Sequence, residues 1–257
     1  LNSASKIYFA SDFHLGAPDS ETSRLREKEI IAWMDQVRKD AAEIFLVGDL
    51  FDFWFTYKKV VPQGFIRFQG KIAEIIDSGI PIHIFSGNHD LWGIEYFEKE
   101  LGAIIHKEPI ERTYNGKNFY IGHGDGLGPG DKTYKLLKKY VFLSPLTQWA
   151  FANFHPDLGI GLAQSWSGNS RSHGEVKDQW LGEEKEWLVQ YSKEILREKE
   201  VKGLEKIDYF IFGHRHLSLD IPLGNGSRYI NLGEWFNKKS YAVLEGEELK
   251  LEFWSRP

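Results

Sequence analysis

Five short apolar runs punctuate the chain, and each runs out on side chains carrying oxygen or nitrogen. Ile7–Ser11 leads into Asp12 and His14, Ile44–Val47 into Gly48–Asp49, and Ile80–Phe85 into Gly87–Asn88–His89–Asp90. Phe119–Ile121 leads into Gly122–His123, and Tyr209–Phe212 into Gly213–His214–Arg215–His216. Runs of this kind read as strands buried on both faces, and open α/β sheets carry their chemistry where such strands end. Between them the apolar spacing becomes helical. Ser23–Lys39 places Ile30, Ile31, Met34 and Val37 on one side, Phe65–Ile76 does the same with Ile66, Ile72, Ile75 and Ile76, and Ile94–Leu101 is a shorter third. Asn115–Gly116 and Gly224–Asn225–Gly226 are hairpin turns by residue type, and Tyr241–Leu244 with Leu249–Phe253 predicts a closing hairpin. Strands alternate with helices early and dominate late, which predicts an α/β fold of two packed sheets flanked by helices.

Leu127–Gly203 breaks this rhythm. It shows no strand-like alternation and offers helical patterns near Lys132–Phe142, Leu146–Asn153, Leu158–Trp166 and Glu183–Glu200. The expected division is therefore a core of residues 1–126 and 204–257 with a helical insertion over 127–203. The insertion holds Trp149, Trp166, Trp180 and Trp187 with further tyrosines and phenylalanines. Such a segment beside a catalytic edge reads as a cap over a substrate with a large apolar part. Lys132, Lys135, Lys138 and Lys139 fall along one side of its first helix, with Leu136, Leu137, Tyr140 and Val141 on the other. That row is expected to be either a solvated face or a contact with an anionic membrane surface, where each lysine contributes about 1 kcal/mol.

At 257 residues the chain can bury a full core, and its hydrophobic share of 42% is that of a globular protein. No uninterrupted apolar stretch reaches the ~18 residues of a membrane span. There is no cysteine, which excludes disulfides and thiolate metal sites and fits a reducing, cytoplasmic compartment. Leu1–Lys6 carries no apolar signal core, but the chain does not begin with Met and a removed leader stays open. A net charge of −5 argues against a stable nucleic-acid partner held by phosphate contacts.

The strand ends bring seven candidate ligands to one edge: Asp12, His14, Asp49, Asn88, His123, His214 and His216. Mixed carboxylate and imidazole donors suit Mn, Fe or Zn, whereas Mg and Ca prefer oxygen alone. The ordered set Asp-Phe-His, Gly-Asp-Leu-Phe-Asp, Gly-Asn-His-Asp, Gly-His-Gly and Gly-His-Arg-His resembles the pattern of the calcineurin-like metallophosphoesterase superfamily from Asp12 to His216. That resemblance implies a sandwich of two mixed sheets and two divalent ions. Asp12, His14, His216 and Asp49 would surround one, and Asn88, His123, His214 and the same Asp49 the other. It further implies that His89 contacts the phosphate and protonates the leaving oxygen, and that Asp90 orients His89.

A narrower resemblance covers the insertion. His123-Gly-Asp-Gly-Leu-Gly-Pro-Gly-Asp131-Lys-x-Tyr134 is similar to the segment after the histidine ligand in the UDP-2,3-diacylglucosamine pyrophosphohydrolases of lipid A biosynthesis, and His155-Pro-Asp-Leu-Gly-Ile-Gly-Leu resembles their bacteroidete members. Those enzymes carry a helical cap at this place, use manganese and release UMP and an acylated sugar phosphate. The resemblance implies a nucleotide-linked acylated sugar as substrate, bound by Asn88, His89, Asp131, Ser165, Asn169 and Arg171, and peripheral contact with the inner face of the cytoplasmic membrane. One position departs: proteobacterial members have Arg where this chain has His89. The alternatives are a metallophosphoesterase acting on another phosphodiester or phosphomonoester, and a non-catalytic scaffold of the same fold.

Overall fold

The structure is a computed structural model that describes residues 5–129, 132–161, 179–180 and 182–256. Its strands form two sheets. The first has six strands in the order β11 (Glu248–Phe253), β10 (Ser240–Glu245), β1 (Lys6–Ala10), β2 (Ala41–Leu46), β3 (Ile82–Phe85) and β4 (Ile104–His106). The second has five, β5 (Ile110–Tyr114), β6 (Lys117–Ile121), β7 (Tyr209–Phe212), β9 (Ser227–Leu232) and β8 (Ser218–Gly224). Strands β1 to β4 run parallel, as do β6, β7 and β9, whereas β10 pairs antiparallel with β1 and β11, β5 with β6, and β8 with β9. Both sheets are thus mixed.

The two-residue period of a strand decides which layer each side chain joins. Ile7, Phe9, Phe45, Val47 and Phe85 point inward and meet Phe119, Ile121, Ile211, Ile230 and Leu232 of the facing sheet. Their neighbours Tyr8, Ala10, Ile44, Leu46, Ile82 and Ile84 point outward, against helices α1 (Ser20–Val37), α2 (Ile66–Asp77) and α3 (Glu95–Leu101). The central strands are therefore apolar on both faces over most of their length. Helix α1 begins before the expected Ser23 because Asp19 caps it, its carboxylate accepting from the N–H groups of Glu21 and Thr22 at 2.9 Å.

The insertion contains α4 (Lys132–Leu137), continued by a π-helical turn over Lys138–Phe142, and α5 (Pro145–Ala152). Helix α6 (Trp187–Val201) packs on the outer face of the second sheet, where Leu188 and Val189 meet Phe210, Phe212, Ile221 and Tyr229. It completes a helix–sheet–sheet–helix stack. Among the described residues no helix is long and apolar enough to cross a membrane.

A buried polar chain ties the two sheets at one side. Tyr114 on β5 donates to Glu43 at 2.7 Å, Glu43 lies 3.2 Å from His83 Nε2, and His83 Nδ1 lies 2.9 Å from His106 Nε2. Burial, aided by the charge of Arg112, pushes His83 down to about 4. Burial, then His83 and Arg112, do the same to His106. Unfolded histidines titrate near 6.5, so between those values the unfolded chain binds more protons and stability falls as pH is lowered. Denaturant titrations should show the wild type losing on the order of 1–2 kcal/mol more between pH 7.5 and 5 than an H83Q/H106Q variant. Equal losses would show that this chain of contacts does not sense pH.

Candidate metal centre

Parallel strands β1, β2, β3, β6 and β7 end on the same edge, and the loops after them carry all seven candidate ligands. Main-chain bonds cross-link these loops: Asp12 N to Gly48 O at 3.1 Å, His14 N to Asp49 O at 3.0 Å, and Gly213 N to His123 O at 3.0 Å. Five of the ligand residues sit in the left-handed region, Asp12 (φ 54°), His14 (43°), Asp49 (51°), His214 (67°) and His216 (51°). Non-glycine residues pay about 1–3 kcal/mol for that conformation, and such strain gathers at functional sites. The glycines of the motifs serve close approach. At Gly48 (φ 83°) a Cβ would stand 2.5 Å from the His123 ring, and at Gly87 it would fall inside the Asp49 carboxylate.

The candidate ligands converge in two groups that share one carboxylate, beside a third cluster of His14, Asp52 and His89. Ligand atoms of Asp12, His14, Asp49 and His216 lie within 4.8 Å of one another, and so do those of Asp49, His123 and His214. Asn88 completes the second group, its Oδ1 standing 3.4 Å from His123 Nε2. His14 Nε2 and His216 Nε2 face each other at 3.1 Å, with Asp12 Oδ1 3.8 Å from the former and 3.4 Å from the latter.

This donor arrangement fits cations. His123 Nδ1 donates to the Val47 carbonyl at 2.8 Å, which leaves the Nε2 lone pair facing Asp49 Oδ2 at 3.3 Å and Asn88 Oδ1. Three acceptors meeting so closely repel one another unless a positive charge lies among them. The titration behaviour shows the same demand for positive charge, which a proton on His123 Nε2 or a cation in its place would meet. Burial lowers the His123 imidazole, but the charge of Asp49 outweighs it and draws the group up to about 10. Burial opposes ionisation of Asp12, yet bonds with His14 and His216 hold it well below the usual carboxylate range. Asp49 is held far below it too, against burial, by the charges of His123 and His89. Burial pushes His14 and His214 to about 4, the neutral form that ligates metals.

Several residues that steady these loops carry no role in the sequence reading. Arg26, buried on α1, donates to the carbonyls of Phe13 (2.8 Å), His14 (2.7 Å) and Ala17. Arg215, between two ligands, pairs with buried Glu186 at 3.0 Å and lies over the Trp187 ring at 4.4 Å. Asp52 reaches toward two histidines: its carbonyl accepts from His89 Nδ1 at 2.9 Å, and its Oδ1 lies 3.9 Å from His14 Nδ1. Asp90 is not the partner of the His89 ring. Its two oxygens accept from Gly87 N and Leu50 N, both at 2.7 Å, and so lock the Asp49 and Asn88 loops together. Burial and then the charge of Asp49 raise its carboxyl to about 7.

At the cap, Lys138 turns inward to buried Asp125 at 2.6 Å, where Tyr134 also donates at 2.8 Å, and Lys135 donates to the Gly128 carbonyl. Two of the four lysines expected on an outer face are thus spent on the core. The apolar side is the exposed one: Leu136, Tyr140, Leu146 and Trp149 all face solvent. The seam between cap and core is aromatic, with Phe151 against Phe55 (4.7 Å) and Trp92 (5.1 Å), and the Trp92 indole donating to the Phe142 carbonyl at 2.6 Å. Asp131, Ser165, Asn169 and Arg171 lie outside the described residues.

Two packed mixed sheets with a dinuclear donor set at one edge define a metal-dependent phosphoesterase. The chain belongs to the calcineurin-like phosphoesterase family, whose model matches residues 5–218. It is 40% identical to a Porphyromonas gingivalis protein named UDP-2,3-diacylglucosamine hydrolase, across 96% of this chain and 97% of that one. Proteins of the same name from Pseudomonas aeruginosa (25% identical, 89% of this chain and 90% of theirs) and Actinobacillus succinogenes (24%, 95% and 98%) are similar over nearly their whole length.

Proposed function

We propose that this enzyme hydrolyses the pyrophosphate bond of UDP-2,3-diacylglucosamine to UMP and 2,3-diacylglucosamine 1-phosphate, as a step of lipid A biosynthesis. The observation that carries the reading is the 40% identity to a hydrolase of that substrate across 96% of this chain, insertion included. Asp12, His14, His216 and Asp49 would hold one divalent ion, and Asn88, His123, His214 and Asp49 the other, with manganese, iron or zinc suited to these donors and manganese the one expected from the lipid A resemblance. When bound, the pair supplies Lewis-acid polarisation of a phosphoryl oxygen and lowers the pKa of water.

The chain's own groups supply the rest. Asp49, buried and ionised, balances charge between the two halves of the centre. His89, its Nδ1 fixed by the Asp52 carbonyl, presents Nε2 as the atom that contacts the phosphate and gives a proton to the leaving oxygen. Asp90 acts on that histidine only through the loop it braces. The cap, whose functional part we take to end before α6, supplies apolar surface for the acyl chains, and Asp131, Ser165, Asn169 and Arg171 are its expected contacts with sugar and phosphate. The same exposed face would rest on the inner surface of the cytoplasmic membrane.

The acyl chains set the test. Burying each CH₂ is worth about 0.8 kcal/mol, so even four buried carbons shift affinity on the order of 100-fold. UMP release from the diacylated substrate should therefore show a KM at least about 100-fold below that for UDP-glucosamine. Equal kcat/KM for the two would remove the lipid reading and leave a phosphoesterase for another phosphate ester.

A further inference from the structure

We propose that a separate cleft beside His123 is the seat of the nucleoside half of the substrate, and that it selects a base with an imide edge. The inference rests on the reading of the substrate as a nucleotide-linked sugar. The cleft encloses about 260 Å³ between the loop after β6, the turn after β4 and the inner side of the cap. His123 and Gly124 both lie in its lining, which sets the cleft directly beside the second half of the centre.

Size and lining separate this cleft from the acyl surface. Its volume lies just under the usual range for small-molecule sites, enough for a ring and a pentose and too little for two fatty chains. The exposed apolar residues Leu146, Trp149, Phe154 and Leu158 lie outside it. Its walls alternate in character. Pro109, Leu127 and Leu143 offer apolar surface for the faces of a planar ring, while Lys107 and Glu108 offer polar groups on its solvent side. A pyrimidine has this same division, with apolar faces and a polar edge. An imide edge presents one N–H between two carbonyls. Glu108 can accept from that N–H, and Lys107, which also pairs with Glu95, can donate to a carbonyl. Cytosine offers an acceptor where the N–H stands and would meet the Glu108 carboxylate acceptor to acceptor.

The cleft is also held in shape independently of the ligand. Asp125 is 6% exposed and lies in its lining, where it receives both Lys138 and Tyr134 from the cap. That clamp fixes the cap's inner side one residue beyond Gly124 and keeps the walls apart.

Calorimetric titration of the manganese-loaded protein with UMP, CMP and ribose 5-phosphate tests this. UMP should bind about 10-fold more tightly than ribose 5-phosphate and more tightly than CMP. L143W, which fills the cleft, and E108K, which changes only an exposed side chain, should each bring UMP to within about twofold of ribose 5-phosphate. Equal binding of UMP and ribose 5-phosphate by the wild type, or a preference that survives both substitutions, overturns the assignment. The outcome is separable from that of the lipid assay. UMP preference without cleavage of the diacylated substrate keeps the nucleoside seat on an enzyme for another nucleotide, and cleavage without UMP preference removes the seat alone.

Discussion

Asp49→Ala should reduce kcat/KM about 10⁴-fold or more, equivalent to a loss above ~5 kcal/mol of transition-state stabilisation. It should also lower the metal content of both halves of the centre. Among the described residues no other belongs to both donor groups: Oδ2 of Asp49 stands 3.7 Å from His14 Nε2 on one side and 3.3 Å from His123 Nε2 on the other. Its Oδ1 also accepts from the His89 main-chain N–H at 2.9 Å, so the substitution also unties the loop that carries His89. Elemental analysis of the purified variant, loaded with manganese and dialysed, gives the metal count directly. Two ions retained per chain would refute the shared role. Removing any single histidine should empty one half only, which makes Asp49 distinguishable from its neighbours by stoichiometry as well as by rate.

His89→Ala should behave differently, with both ions kept and turnover down about 10²–10⁴-fold, the range for loss of a general acid. Metal content is the deciding readout, because His89 also lies within 4.8 Å of ligand atoms of His14 and Asp52. Its Nδ1 is taken by the Asp52 carbonyl, and its ring meets that of His14 edge-on with centroids 4.8 Å apart. The loss should shrink for substrates with an acidic leaving group such as p-nitrophenolate, which needs no proton on departure. A uniform loss for all leaving groups would assign His89 to phosphate binding alone, and loss of one ion would make it a ligand.

The candidate centre was legible in sequence because its two requirements leave local marks. A strand buried on both faces must be apolar at every position, and a ligand-bearing loop must follow it at once. Phe9 and Tyr8, Phe45 and Ile44 fill opposite layers yet read as one unbroken run. The helices on the first sheet were legible for the same reason, since their period of 3.6 is set within a few turns. Asp125 left a mark that went unused. An aspartate between two glycines directly after a ligand histidine is a residue placed for a contact, although its partners Tyr134 and Lys138 are 9 and 13 positions away.

What the chain determined by itself was which residues are apolar, where each run ends and which donors stand at those ends, because these depend on neighbours in sequence. The tertiary structure decided the pairings. Asp90 adjoins His89 yet bonds the main chain of Gly87 and Leu50, while the His89 ring goes to Asp52, 37 residues earlier. Helix α6 has the same amphipathic pattern whatever it covers, and its contact with Phe210, Phe212 and Tyr229 is visible only in the folded chain. Lys135 and Lys138 looked like a solvated row until the loop of Asp125 and Gly128 was folded beneath them. A hydrogen bond or a packed face needs a partner at the right distance and angle, and that partner is fixed by the path of the whole chain, not by its local period.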